Sequence, residues 1–371
     1  MRKLIGNVRK STAWQSLLLL FVLTPCFFPS SALGESYSYT DIHPPGWIES
    51  RVTCLNGRGE AVGFGTTADG ERGFLWSSGK ITVILPPGAD SARAAWINDA
   101  GEIAGTMVKD GVRHAFVLRG QDYSDPTPGW GYSEATYVGE DGAIGGTGEF
   151  GAFVSRGDML EILPGFTVVV AGNSSRQFVG IAGSAARLYL PDKGYQDLTP
   201  PGTADAAPLG INENGRVAVT SVKDGVDKGF VYSAPFFVAM TPSGWSSSRA
   251  TAINNREMVA GNGDSPEGRR SFLRSGSTYD FLSFPGWTAT EAASLNDLGQ
   301  VAGSGSTASG ETHAFVAFPA GAPAAEAPGP GASGASGGCV MAPGGSVRDT
   351  GASVAGYLFL LFSPLLLLRR R

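Results

Sequence analysis

Histidine is nearly missing from these 371 residues: His43, His114 and His313 are the only three. A hydrolase that pairs a nucleophile with a base draws that base most often from histidine, so the shortage argues against that chemistry. His114 and His313 also occupy one repeat position, as packing residues do. With no His-Cys cluster, zinc and other transition metals are disfavoured, and no Asp-x-Asp-x-Asp-Gly run supplies a calcium loop. Gly145-Gly146-Thr147-Gly148 is followed by no helix to lend its dipole, so a phosphate loop is excluded as well. No catalytic residue, metal ligand or cofactor is expected.

Cysteine is as scarce: Cys26 and Cys339 lie in the two ends, so Cys54 has no partner inside the domain and no internal disulfide is expected. Charged residues make up only 16% of the chain. Setting aside the eight positive and two negative charges of the ends leaves 20 Lys and Arg against 31 Asp and Glu between residues 35 and 320, a net of -11. Such an acidic surface repels phosphate backbones, and nucleic acid is not an expected partner.

What is present is a repeat. Ile97-Asn98-Asp99-Ala100-Gly101 leads to His114-Ala115-Phe116, and Leu295-Asn296-Asp297-Leu298-Gly299 leads to His313-Ala314-Phe315. The asparagine recurs at Asn56, Asn98, Asn173, Asn212, Asn254 and Asn296, with Gly139 in the third slot. A period of roughly 40 residues suits one propeller blade. Within a unit, Asn-x-x-Gly turns one short strand into the next, Asp-Gly turns such as Asp110-Gly111 make the second reversal, and a Pro-Gly corner ends the fourth strand. Four antiparallel strands per unit follow, A to D.

The first repeat segment, Tyr39 to Ile42, is a D strand with no A, B or C before it, and the last, His313 to Val316, is a C strand with no D after it. Pairing the two removes both raw edges. The expectation is all-β: a seven-bladed β-propeller over residues 35–319, closed by its N-terminal strand on the last blade.

Trp47, Trp130, Trp245 and Trp287 each follow a D–A corner. Such rings either surround the funnel and grip a sugar or peptide, or pack between adjacent blades as wedges. They are the ligand-binding candidates. Two carboxylates in the funnel would instead suit a glycan-cleaving enzyme.

The ends carry addresses. Basic residues, an apolar run and Ala32-Leu33-Gly34 make residues 1–34 a secretory signal peptide. Residues 320–338 form an Ala/Gly/Pro/Ser linker; residues 339–371 contain an uncharged stretch at 351–368, long enough for a transmembrane helix, before Arg369 to Arg371.

Gly337-Gly338-Cys339, the Arg348-Asp349 spacer, the apolar stretch and the arginine tail resemble the Cys-containing C-terminal sorting signals of Gram-negative bacteria, the JDVT-CTERM and MYXO-CTERM types. That resemblance implies a sorting endopeptidase, processing or lipidation at Cys339, and delivery to the cell surface; a permanent membrane anchor is the alternative. The Asn-x-x-Gly and His-Ala-Phe pattern resembles the HAF family of bacterial extracellular repeat proteins across nearly all of residues 37 to 318. That likeness implies location and repeat, and brings no activity. A non-enzymatic binding or structural module for an extracellular glycan or peptide is the expected function.

Overall fold

Each Pro-Gly corner closes a tight turn. The N–H after the glycine donates to the carbonyl three residues back, as from Trp47 to Pro44 (3.2 Å), Trp245 to Pro242 (3.2 Å) and Trp287 to Phe284 (3.1 Å). Gly46, Gly88, Gly129, Gly202, Gly244 and Gly286 adopt φ between 74° and 85°, the positive value that the third position of a type II turn demands. The Asp-Gly reversals also behave as read: Asp110 and Gly111, like Asp224 and Gly225, both take positive φ.

The computed structural model describes residues 37–320. The expected leader (residues 1–34), most of the linker, Cys339 and the expected membrane helix at 351–368 lie outside the described residues. Among the described residues no helix is long and apolar enough to cross a membrane. These residues form 28 strands in seven four-stranded sheets, the seven blades of a propeller. The A strands are Glu49–Leu55, Ser91–Ile97, Ser133–Val138, Val168–Gly172, Ala204–Ile211, Arg249–Ile253 and Trp287–Leu295, for blades 1 to 7. Each touches the A strand of the next blade, and the seventh touches the first, so they are the inner wall of a closed ring.

Closure follows the expected route. Tyr37–Asp41 pairs antiparallel with Thr312–Pro319, with Tyr39 opposite Ala317 and Asp41 opposite Phe315. The chain's first described strand is therefore strand D of blade 7. Tyr37 reinforces the seam by donating its hydroxyl to the Gly299 carbonyl at 3.0 Å.

Every A strand carries a β-bulge three residues before its turn: at Thr53, Ala95, Thr136, Val170, Leu209, Thr251 and Ala293. A bulge sharpens local twist, which suits strands converging on an axis. Where the bulged residue is threonine, its hydroxyl donates outward to the next blade, as from Thr53 to the Ala94 carbonyl (3.0 Å) and Thr251 to that of Ala292 (3.1 Å).

The strand-B glycine seven residues after the repeat asparagine lies under the neighbouring backbone. A Cβ on Gly63, Gly105, Gly261 or Gly303 would come within 2.0 to 2.2 Å of an A-strand carbonyl oxygen and into the ring of the C-strand phenylalanine. Those phenylalanines, Phe74, Phe116, Phe272 and Phe315, are fully buried, each contributing about 1.5–3 kcal/mol of apolar burial. Blade 5 shows the alternative: Val219 stands in the glycine's place, and Phe230 is only half-buried.

The asparagines tie the blades together. Asn296 Oδ1 accepts the N–H groups of Leu298 (3.1 Å) and Gln300 (3.0 Å), which shapes its own turn. Its Nδ2 donates to the Asn56 carbonyl of the next blade at 3.0 Å. The same outward bond runs from Asn56 to Asn98, Asn98 to Gly139, Asn173 to Asn212, Asn212 to Asn254 and Asn254 to Asn296, at 2.9 to 3.1 Å. Only Gly139, having no side chain, does not pass the bond on to Asn173. A Cβ there would meet the Tyr137 hydroxyl at 2.5 Å.

Asn296→Ala should cost about 2–4 kcal/mol, because buried backbone groups in its own turn and in blade 1 lose their partners together. Denaturant unfolding of the variant against the parent measures this, and a change below about 0.5 kcal/mol would show the ring to be incidental.

Candidate functional site

Because the four strands of a blade alternate in direction, the D–A and B–C loops emerge on one face of the disc and the A–B and C–D loops on the other. The asparagine ring belongs to the second face. The first, the funnel face, carries the side chains at the start of strands A and C and the end of strand B.

Charges there follow the repeat. In blades 2, 3, 6 and 7 the residue five before the repeat asparagine (or Gly139) in strand A pairs with a residue at the start of strand C in the preceding blade, whereas Arg51 of blade 1 pairs with Glu49 of its own strand at 3.2 Å. Arg93 pairs with Glu71, Glu134 with Arg113 (2.9 Å), Arg249 with Asp227 (2.5 Å) and Glu291 with Arg269 (2.9 Å). Each pair bridges two blades. Blades 4 and 5 place Val168 and Ala207 at this position and carry no such charge.

A cavity of about 350 Å³ opens on this face against the inner strands of blades 1, 2 and 3. Glu71, Arg93, Arg113 and Glu134 are in its wall, with the hydroxyls of Thr53, Ser91, Thr106 and Thr136 between them. Arg93 lies over the Phe64 ring at 4.5 Å. Glu134 is nearly buried, and that burial pushes its carboxyl above the usual range although Arg113 and Arg93 pull it down. Sequence reading missed all four charged residues. Their signal was a fixed offset from the asparagine combined with alternating sign.

The tryptophans are placed differently. Trp47, Trp130, Trp245 and Trp287 lie one per blade, each half-buried over a strand-B glycine of its own blade: Gly65, Gly148, Gly263 and Gly305. Each meets its own blade's C-strand phenylalanine edge-on, with ring centres 5.4 to 5.9 Å apart. They do not converge on one another, and none lines the cavity.

On the opposite face a narrow cavity of about 20 Å³, room for one water, lies beside Gly139 between Asp99, Glu140, Asp141 and Glu213. Burial and the neighbouring Asp99, Glu102 and Glu213 charges raise the Glu140 carboxyl. Among the described residues no group of three or more His, Cys, Asp or Glu is arranged to hold a metal. The Cys54 sulfur is buried against the next blade, where it accepts the Ile97 N–H at 3.4 Å; the other two cysteines, Cys26 and Cys339, lie outside the described residues.

The closing seam has chemistry of its own. His43 and His313 stack at 4.0 Å and nearly parallel, His313 Nδ1 meets Asp41 Oδ2 at 2.8 Å, and His43 bridges the Ser50 hydroxyl (2.9 Å) and the Trp47 carbonyl (3.1 Å). Burial, and then the His313 ring, hold His43 below the ordinary imidazole value against the Trp47 carbonyl and Asp41.

No protein-family model and no curated protein matches the sequence. The fold is similar to the solved structure of YCF48 bound to D1 peptide, with 11% identity and a TM-score of 0.50, over 77% of this chain and 97% of that one. It also resembles TolB from Acinetobacter baumannii (14%, TM-score 0.36, 65% and 55% of the two chains) and Trypanosoma rangeli sialidase in complex with the inhibitor DANA (9%, TM-score 0.40, 76% and 59%). At these identities the likeness is one of fold alone.

His43 supplies a pH prediction. The unfolded chain, with an imidazole near the ordinary value of about 6.5, binds protons before the folded one does, so stability is complete above that pH and falls as pH drops towards the lowered folded value. Denaturant unfolding at pH 8 and pH 5.5 should show a smaller loss on acidification for His43→Gln than for the parent. Equal losses would remove His43 from the account.

Proposed function

We propose that this chain is an exported propeller held at the cell envelope, acting as a non-enzymatic binding module whose ligand sits in the cavity between blades 1, 2 and 3. One observation carries the reading. The cavity is preformed at the mouth of the funnel, and both carboxylates in its wall are paired with arginines from adjacent blades. Such a wall holds and orients a polar ligand through charge-assisted hydrogen bonds. Residues 1–34 support export, and the Cys339 tail supports envelope attachment through a sorting endopeptidase or the 351–368 helix. The acidic domain makes nucleic acid a poor ligand and leaves glycans and peptides. YCF48, a propeller of similar fold, is bound to D1 peptide in its solved structure.

A second reading, glycan cleavage, draws on the Glu134 carboxyl, which burial raises towards the acid form in the cavity that also holds Glu71.

Full-length protein screened on glycan and peptide arrays decides between them. Thr106→Phe, which fills the cavity, should abolish binding while melting within a few degrees of the parent. Trp245→Ala should lower the melting temperature and leave binding intact. Binding lost in the tryptophan variant and kept in Thr106→Phe would move the site to the aromatic positions. Cleavage of an array glycan that disappears in Glu134→Gln would establish the enzyme.

A further inference from the structure

The propeller builds the same polar frame twice, and only one copy is complete. This inference rests on the cavity of blades 1 to 3 being the binding site. Counted from the repeat asparagine, blades 5, 6 and 7 place Asp227, Ser247, Arg249, Asp264, Arg269 and Glu291 at the offsets where blades 1, 2 and 3 place Glu71, Ser91, Arg93, Val108, Arg113 and Glu134. Five positions keep their chemistry. The sixth exchanges a carboxylate for an isopropyl group.

In the complete copy the odd carboxylate has a defined seat. Asp264 Oδ2 accepts the Ser247 hydroxyl at 2.6 Å, and Oδ1 lies 3.3 Å from Arg269 Nη1. The Asp264 N–H donates back to Ser247 Oγ at 3.0 Å. Burial opposes its charge, but Ser247, Arg269 and Arg249 outweigh burial and hold the carboxyl below its usual range. Three acids thus face two arginines. Beside them Asn262 fills space and bonds Ala292 through both ends of its amide, at 3.0 and 2.7 Å.

In the other copy two acids face two arginines, and the shorter Thr106 stands where Asn262 does. There the cavity of about 350 Å³ opens, with Ser91, Arg93, Val108 and Arg113 in its wall. A seat for a carboxylate is preserved on every side except the one from which the protein would supply it.

We propose that a ligand carboxylate occupies, in blades 1 to 3, the place that Asp264 fills in blades 5 to 7, accepting the Ser91 hydroxyl and lying against Arg113 and Arg93. The ligand class is a small organic acid with a polar body that the threonine hydroxyls can meet. Sugar acids and N-acyl amino acids share that chemistry, and the cavity is at the lower end of the range of small-molecule sites.

Titration calorimetry on the full-length chain tests this with glucuronate against glucose, and N-acetylalanine against N-acetylalaninamide. One acid should bind at least about tenfold more tightly than its uncharged partner, and which pair responds identifies the source. Val108→Asp, which supplies the missing carboxylate internally, should weaken the acid about tenfold or more and melt no lower than the parent. Val108→Thr should stay within about twofold, and the milder Ser91→Ala should cost about fivefold. An uncharged partner that binds as well as its acid, or an acid whose affinity survives Val108→Asp, overturns the proposal. If uncharged compounds bind and Thr106→Phe abolishes them, the cavity remains the site and only the carboxylate is wrong. No binding by any of the four compounds overturns both readings.

Discussion

The hydrogen bond from each repeat asparagine to the backbone carbonyl of the equivalent residue in the next blade is the contact on which the ring depends. One side chain does two jobs: its oxygen shapes the turn between strands A and B, and its amide nitrogen reaches the neighbour. The bond runs from blade 7 to blade 1 as it does from blade 1 to blade 2, so the circuit crosses the point where the chain begins and ends. Six buried amide links in a circle set the radius at which the A strands meet. The bulges, small residues and strand-B glycines are consequences of that radius, because converging strands need extra twist and close approach.

The two faces of the disc divide the labour. On the asparagine face every blade but the third repeats the same chemistry, leaving little freedom for a ligand. On the funnel face the repeat sets offsets but not identities, so inter-blade pairs occur in both polarities, and this position makes none between blades 3 and 4 or blades 4 and 5, where Val168 and Ala207 stand. Partly buried pairs of this kind stabilise less than their Coulomb energy suggests, because desolvation offsets much of it. Their informative property is that they can be altered one blade at a time. The cavity lies where such an alteration, Val108 for a carboxylate, leaves an otherwise conserved frame open.

Much of the architecture was legible in the chain itself. The Pro-Gly corners, the Asp-Gly reversals and the unpaired D and C segments at Tyr39 and Phe315 are local signals, and local backbone chemistry answered them directly. The site was not legible in the same way. Recurrence at loop ends left Trp47 and its equivalents open to two readings, around the funnel or wedged between blades; in three dimensions each lies on a strand-B glycine of its own blade, where an exposed indole buries most surface. Glu134 and Arg113 are 21 residues apart and look like ordinary strand charges until the blades are side by side.

The sequence alone determined the unit, its count, the turn at each end of every strand and the split repeat that closes the disc, because each rests on φ, hydrogen-bond donors and spacing within a few residues. Tertiary structure alone decided which side chains share a space. Strand A of one blade meets strand C of the blade before it only after the ring has closed, and burial between those two sheets, not any feature of either segment, turns repeat charges into paired ones and one valine into a gap.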